Sequence, residues 1–193
     1  HNRVRRQRQM CIRDSYGTEQ QKNKYLPALS NGKYVPCFGL TGPNNGSDAV
    51  GSIDEGVVSI KDGKRVITVN INKRYITLAP VANLIGVAFR LKDPENLLQD
   101  GKEGITVALI EGDHPGLKKE THHNPMNTGF PNGTLKGEFD IEIDRIIGGE
   151  KNAGNGWKML MECLAAGRGI CLPATALASS KVCLLYTSPS PRD

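Results

Sequence analysis

The sequence predicts an α+β chain: a middle antiparallel β-barrel or sandwich, preceded by the end of one helical region and followed by the start of another. Three observations predict it. From about residue 34 to 147, short β-rich runs alternate with Gly, Asn, Asp and Pro, with no helical-period segment between them. Asp62-Gly63 separates two of these runs by the two residues that a tight hairpin needs. After Gly148-Gly149 the period changes, and Trp157, Leu160, Met161 and Leu164 fall at i, i+3, i+4 and i+7, one face of a helix.

The elements follow in order. Residues 16–33 form a helical end: Thr18 caps a polar, helix-compatible stretch, Pro27 ends it, and Asn31-Gly32 is a turn. The β domain spans 34–147, with strands expected at 34–40, 56–61, 64–71, 73–79, 84–91, 104–110 and 133–143. The second helical region covers 148–182, with Asn155 as its cap and a kink or break at Pro173.

The two ends do not continue their neighbours' patterns. Residues 1–15 and 183–193 read as non-native tails that resemble translated sequencing-adapter text. They also account for the charge. The 193 residues carry a formal net charge of +5, but residues 1–15 hold five arginines against one aspartate, which leaves the body near neutral. A nucleic-acid function therefore rests on that arm alone, since the body has no basic surplus to neutralise phosphates. Five cysteines without C-x-x-C spacing suggest neither a disulfide framework nor a zinc site. No metal is expected, and a reducing, cytoplasmic compartment is the default. The apolar runs, of which Val81–Phe89 is taken as the longest, fall short of the ~18 residues of a membrane span.

Three segments have the composition of chemistry. In Cys37–Asp48 a strand runs into a bend of small residues, Gly42, Pro43, Asn44, Asn45 and Gly46, followed by Ser47. Successive N–H groups of such a bend bind phosphate oxygens as a nest, and the alternative is an ordinary Asx turn. In Asn72–Pro80, Tyr75 and Thr77 share one strand face, about 6.5 Å apart. An aromatic ring beside a hydroxyl suits a flat heteroaromatic cofactor; the alternative is a half-exposed strand of good β formers. In Gly156–Arg168 an arginine ends an apolar helical stretch, where it meets an anion or is simply solvated. His122-His123 is read as part of a loop. No G-x-S-x-G is present, so a hydrolase triad has no support.

Together these segments resemble the acyl-CoA dehydrogenase family in order and spacing. Cys37–Asp48 resembles its flavin loop, Tyr75-Ile76-Thr77 its W-I-T strand, and Ile147–Arg168 its entry into the C-terminal helical domain. Asn-Lys-Arg-Tyr-Ile-Thr-Leu-Ala-Pro is similar to the large bacterial branch that serves fatty-acid β-oxidation. The resemblance implies an N-terminal helical domain ending at 16–33, a middle β domain and a C-terminal bundle starting at 148–182. It implies FAD as cofactor, an acyl-CoA substrate desaturated to trans-2-enoyl-CoA, an electron-transferring flavoprotein or similar acceptor, and a homo-oligomeric parent. Peripheral membrane association of that parent is compatible with it.

By that resemblance Phe38, Leu40, Thr41, Gly46, Ser47, Tyr75 and Thr77 hold the flavin, with Thr41 and Thr77 near its N5 side and Tyr75 against its ring. Ser47 contacts the diphosphate or the substrate, and Ala165, Ala166, Gly167 and Arg168 touch the acyl-CoA. Three positions depart from the pattern. Gly42 stands for a common Glu, Tyr75 for Trp, and Ala165 for a common Asp. No residue here matches the catalytic carboxylate, which the family carries farther along the chain. A general base contributes about 10²–10⁴-fold, so the chain alone is expected to be inactive. An acyl-CoA oxidase, a non-enzymatic anion-binding β module and a ligand-free structural domain are the alternatives.

Overall fold

The computed structural model describes residues 15–51, 53–124, 127 and 129–187, apart from the side-chain surroundings of Thr121, Leu164, Ala166, Gly167 and Arg168. Most of both tails therefore lies outside the described residues.

Helix α1, Glu19–Ser30, opens with the expected cap. Thr18 Oγ1 accepts from Gln21 N, and Gln21 Oε1 accepts from Thr18 N, both at 3.2 Å. Its buried face is Gln21, Tyr25 and Leu29, spaced by four. Gln21 escapes a hydrophobicity reading because it is buried through hydrogen bonds. Its amide donates to Asp144 O and Ile146 O and accepts from Gly148 N, which fastens the helix to the far end of the β domain. Pro27 sits inside the helix, three residues before its end, rather than terminating it.

Seven strands form one curled, mixed sheet. They are β1 Pro36–Gly39, β2 Glu55–Lys61, β3 Lys64–Thr77, β4 Leu84–Lys92, β5 Gly104–Glu111, β6 Lys118–His122 and β7 Asn132–Glu142. Their order is β1-β4-β2-β3-β7-β6, with β5 also on β4. β5 runs antiparallel along β4 from Leu84 to Leu91. β1 and β2 share the other edge of β4 end to end, both parallel to it, β1 at Leu84–Val87 and β2 at Arg90–Lys92. Residues 40–54 are thus a detour between two stations on one sheet edge, and they contain the small-residue bend.

The Asp62-Gly63 hairpin is as expected: Lys61 pairs with Lys64, and both turn residues have positive φ, 50° and 73°. Two expectations change. The runs 64–71 and 73–79 are one strand, β3, bulged between Lys73 and Ile76. β6 was not expected, because Lys-Lys-Glu-Thr-His is a charged edge strand without an apolar face.

The sheet is packed on both faces. On β4, Ile85, Val87, Phe89 and Leu91 join one cluster with Ile67, Val69 and Ile71 of β3, while Leu84 and Ala88 join a second with Tyr25, Leu29, Met159 and Leu160. Burial on both sides explains the unbroken apolar run of β4. Burial also pushes the Cys37 thiol up to about 12, so it stays protonated in the core.

Arg65 of β3 grips Glu150 with both η nitrogens, at 2.6 and 3.0 Å, and Gln99 N donates to the same carboxylate at 2.6 Å. Burial pushes the Glu150 carboxyl up, but the Arg65 hydrogen bonds and charge and the Gln99 N–H outweigh it and hold it below its ordinary 4.5. A depressed folded-state value means the stabilisation is full above that ordinary value and is lost as pH falls through the lower, folded one. Arg65→Met is expected to cost roughly 2 kcal/mol at pH 7. It should also flatten the loss of stability below pH 4.5, as read from urea melts across pH. An acid profile identical to that of the unsubstituted protein would refute this.

Helix α2, Gly156–Thr187, differs from expectation in phase and length. Met159 and Leu160 are buried, whereas Met161 points outward. The helix runs through Pro173. The residues on either side are exposed, so the carbonyl that loses its donor there can meet water. It also passes 183 without a break. Residues Gly169–Thr187 are long and apolar enough to cross a membrane by length and composition, a segment that the search for apolar runs overlooked.

Candidate functional site

The bend at 40–49 is built around one buried amide. Asn45, 1 % exposed, donates to Leu40 O at 3.0 Å and Ala49 O at 3.1 Å and accepts from Gly42 N at 2.7 Å. The side chain thus closes the bend across its mouth. Gly42 is required by crowding. A Cβ there would lie 2.7 Å from Asn45 Oδ1 and 2.8 Å from Asn72 O, so a side chain at this position would force the bend apart. At Gly46 a Cβ would meet nothing within 4 Å, and Gly46 and Ser47 are both exposed. The outer half of the bend is therefore open.

The bulge in β3 brings the second segment to the same place. Lys73 pairs with Leu135 and the next pair is Ile76 with Gly133, so Arg74 and Tyr75 leave the ladder. Arg74 N turns to Thr41 O at 3.1 Å, and Arg74 Nη2 reaches Pro43 O at 3.2 Å. Tyr75 takes a left-handed φ of 61°, a strained conformation for an aromatic residue. The residue is 56 % exposed. The Arg74 guanidinium lies 5.2 Å from the ring centroid, and the His123 ring lies 4.8 Å away at a 50° tilt. One arginine therefore touches both the bend and the tyrosine ring.

Thr77 is exposed and pairs with Asn132. Phe38 and Leu40 are half-buried against the second core cluster, which Trp157 and Cys163 of α2 also join. Thr41 is half-buried between these groups in sequence. Ala165 is exposed on α2, and the side chains of Ala166, Gly167 and Arg168 lie outside the description. Among the described residues no group of three His, Cys, Asp or Glu is placed to hold a metal.

Sequence reasoning missed five contributors: Asn45 as the bend's lock, Arg74, His123, and the pair Lys73 and Asp54. His122 ends β6 rather than lying in a loop, and His123 meets Thr134 Oγ1 through Nε2 at 3.0 Å. A histidine next to the edge strand became legible only once β6 was paired. Lys73 is wholly buried, 3.0 Å from Asp54 Oδ2. Burial pushes its ammonium down from its ordinary value, against the pull of Asp54.

Three side-chain polar atoms are buried without a hydrogen-bond partner among the described residues, and two belong to this region: Arg74 Nε and Asn132 Oδ1. An unpaired donor beside an exposed aromatic ring, and an open bend next to it, fit a polar aromatic group with an anionic tail. A separate cavity of about 170 Å³ lies between α1, β5 and the turn at 143–149, lined by Gln20, Lys24, Tyr25, Leu109 and Arg145 among others. It is smaller than the ~300 Å³ at which ligand pockets begin. Its two cationic side chains are already paired, with Arg145 and Lys24 on Glu111 at 3.1 and 3.3 Å.

Comparison with known proteins gives the chain a family. The family model for the acyl-CoA dehydrogenase middle domain matches residues 37–138. The chain belongs to the acyl-CoA dehydrogenase family. It is 31 % identical over 180 residues to the mitochondrial isobutyryl-CoA dehydrogenase of Dictyostelium discoideum, a match that covers 91 % of this chain and 40 % of that protein. Over 102 residues it is 45 % identical to Protein HemX of Proteus mirabilis, which covers 52 % of this chain and 60 % of that one. A glutaryl-CoA dehydrogenase from Mycobacterium smegmatis, solved in complex with FADH2, superposes with a TM-score of 0.64 at 26 % identity, over 81 % of this chain and 36 % of that one. The chain thus spans 36 to 60 % of the length of these relatives. Its curled β domain with few helices is the fold of the family's middle domain.

Proposed function

We propose that this chain is the cofactor-bearing middle portion of an FAD-dependent acyl-CoA dehydrogenase of fatty-acid β-oxidation, working in the bacterial cytoplasm as part of a homo-oligomer. The observation that carries the reading is Arg74, whose backbone and side chain hold the bend at 41–43 while its guanidinium lies against the exposed Tyr75 ring.

When bound, FAD accepts a hydride from the β-carbon of an acyl-CoA thioester, and the electrons pass on to an electron-transferring flavoprotein or similar acceptor. This chain's residues hold and orient. Tyr75 presents a ring face for the isoalloxazine. Thr41 and Thr77 offer hydroxyl donors at its edge, and Phe38 and Leu40 keep water from that side. Gly46 and Ser47 offer an unobstructed N–H and a hydroxyl to phosphate oxygens. Ala165–Arg168 begins the wall against which the acyl-CoA lies. No residue of this chain is assigned the base that removes the α-proton.

The test is expression of this segment within its complete parent chain. A yellow protein with close to one flavin per chain, bleached anaerobically by acyl-CoA, is the expected result. A colourless protein indifferent to acyl-CoA would overturn the reading, and rapid peroxide release in air would assign an oxidase instead.

A further inference from the structure

Among the described residues, one of the largest wholly buried side chains is a lysine, and the proposed function gives it no task. Burying an ammonium costs several kcal/mol unless it is well paired, and an apolar residue of similar size would often serve stability better. Lys73 is nevertheless 0 % exposed in the middle of a sheet. Its stem lies against Gly39, where a Cβ would come within 3.3 Å of Lys73 Cγ, so the missing side chain of β1 leaves the lysine its room. Its head donates to Leu40 O at 3.1 Å and pairs with Asp54 Oδ2 at 3.0 Å. The same Asp54 oxygen accepts from Asn72 N at 2.9 Å.

These contacts join the two halves of the candidate site. Leu40 opens the bend, Asp54 closes the detour that contains it, and Lys73 is the last β3 residue in register before the bulge. The next links repeat the pattern one residue on: Leu40 O accepts from Lys73 Nζ, and Thr41 O accepts from Arg74 N. Two successive carbonyls of the bend are thereby tied to two successive residues of β3. Tyr75 follows immediately.

We propose that Lys73, held by Asp54, is a positioning residue that clamps the bend at 40–47 to β3 and so sets the gap between Thr41 and the Tyr75–Thr77 pair in which the flavin lies. The inference rests on the functional reading above. Lys73 itself is walled off from the ligand and acts through the Leu40 carbonyl.

The test uses the complete parent protein with Lys73→Met, which keeps the stem and removes the charge, and Asp54→Asn, which keeps an acceptor for Asn72 N but removes the negative charge that holds the ammonium. Three readouts are taken: FAD affinity by titration of the apoprotein, the fine structure of the bound flavin's visible band, and hydrogen exchange of residues 40–47 and the Arg74 amide without FAD. Both variants are expected to weaken FAD at least tenfold, to blur the visible band, and to speed exchange at those amides at least tenfold while the β4 and β5 core stays protected. Affinity, band and exchange all within twofold of the unsubstituted protein would overturn the clamp, whatever the melting temperature does. Should Lys73→Met fail to fold, Asp54→Asn decides alone on the same criteria. An unsubstituted protein that binds no flavin would overturn the functional reading and the clamp with it, whereas flavin uptake with insensitive variants would overturn the clamp only.

Discussion

Tyr75→Gly is expected to weaken FAD binding roughly 30- to 150-fold while leaving the fold about as stable as before. The two effects come from different parts of the residue. Tyr75 is 56 % exposed, so a cofactor packed on its ring removes about 100 Å² more from water, worth about 2–3 kcal/mol of affinity. The backbone has a left-handed φ of 61°, which costs an L-residue roughly 1–2 kcal/mol and glycine almost nothing. Glycine relieves that strain and forfeits the partial contacts with Arg74 and His123, which are of similar size. The net stability change should therefore fall within about 1 kcal/mol of zero. Tyr75→Phe should change neither property much. Paired urea melts and FAD titrations check this. A large stability loss with unchanged affinity would make the ring a core residue and remove it from the site.

Asn45→Ala should destabilise the protein by roughly 2–4 kcal/mol, or open the bend locally with an equal penalty on FAD binding. The change strands the Gly42 N–H and the Ala49 carbonyl at a position only 1 % exposed, and leaves Leu40 O with the Lys73 ammonium as its partner. Asn45→Asp is the sharper test. It keeps the acceptor for Gly42 N but turns an oxygen toward two carbonyls, so it should be at least as damaging at pH 7. Protonation restores one donor, and the folded state favours that protonated form, so its carboxyl value is raised above the unfolded one. The sign of the linkage then follows: the variant should recover stability as pH falls toward 5 and lose it as pH rises. Denaturation midpoints at pH 5 and pH 7 that move together with the unsubstituted protein would contradict this.

The β domain was legible because its signals are local. The Asp62-Gly63 hairpin, the unbroken apolar run of β4 and the Thr18–Gln21 cap each need only neighbouring residues to be read. What escaped depends on long-range partners. Gln21 is buried by carbonyls more than 120 residues away, and β6 is a strand only because β7 supplies its ladder. The bulge that merges two expected strands into β3 is set by pairing with β7, not by any local residue. The candidate site divides the same way. Tyr75, Thr77 and the small-residue bend stand out in the sequence, one as an aromatic–hydroxyl pair on a strand and the other as a cluster of turn formers. Lys73 reads there as one more surface charge, and its burial appears only when β1 is laid against it.

The central claim is that the bend and the bulged end of β3 form one face on which a flavin rests. Hydrogen exchange of the complete parent protein with and without saturating FAD tests it most directly. The account predicts protection gathered at residues 38–47 and 74–78. Protection that skips both segments and falls around Lys24 and Arg145 would contradict it.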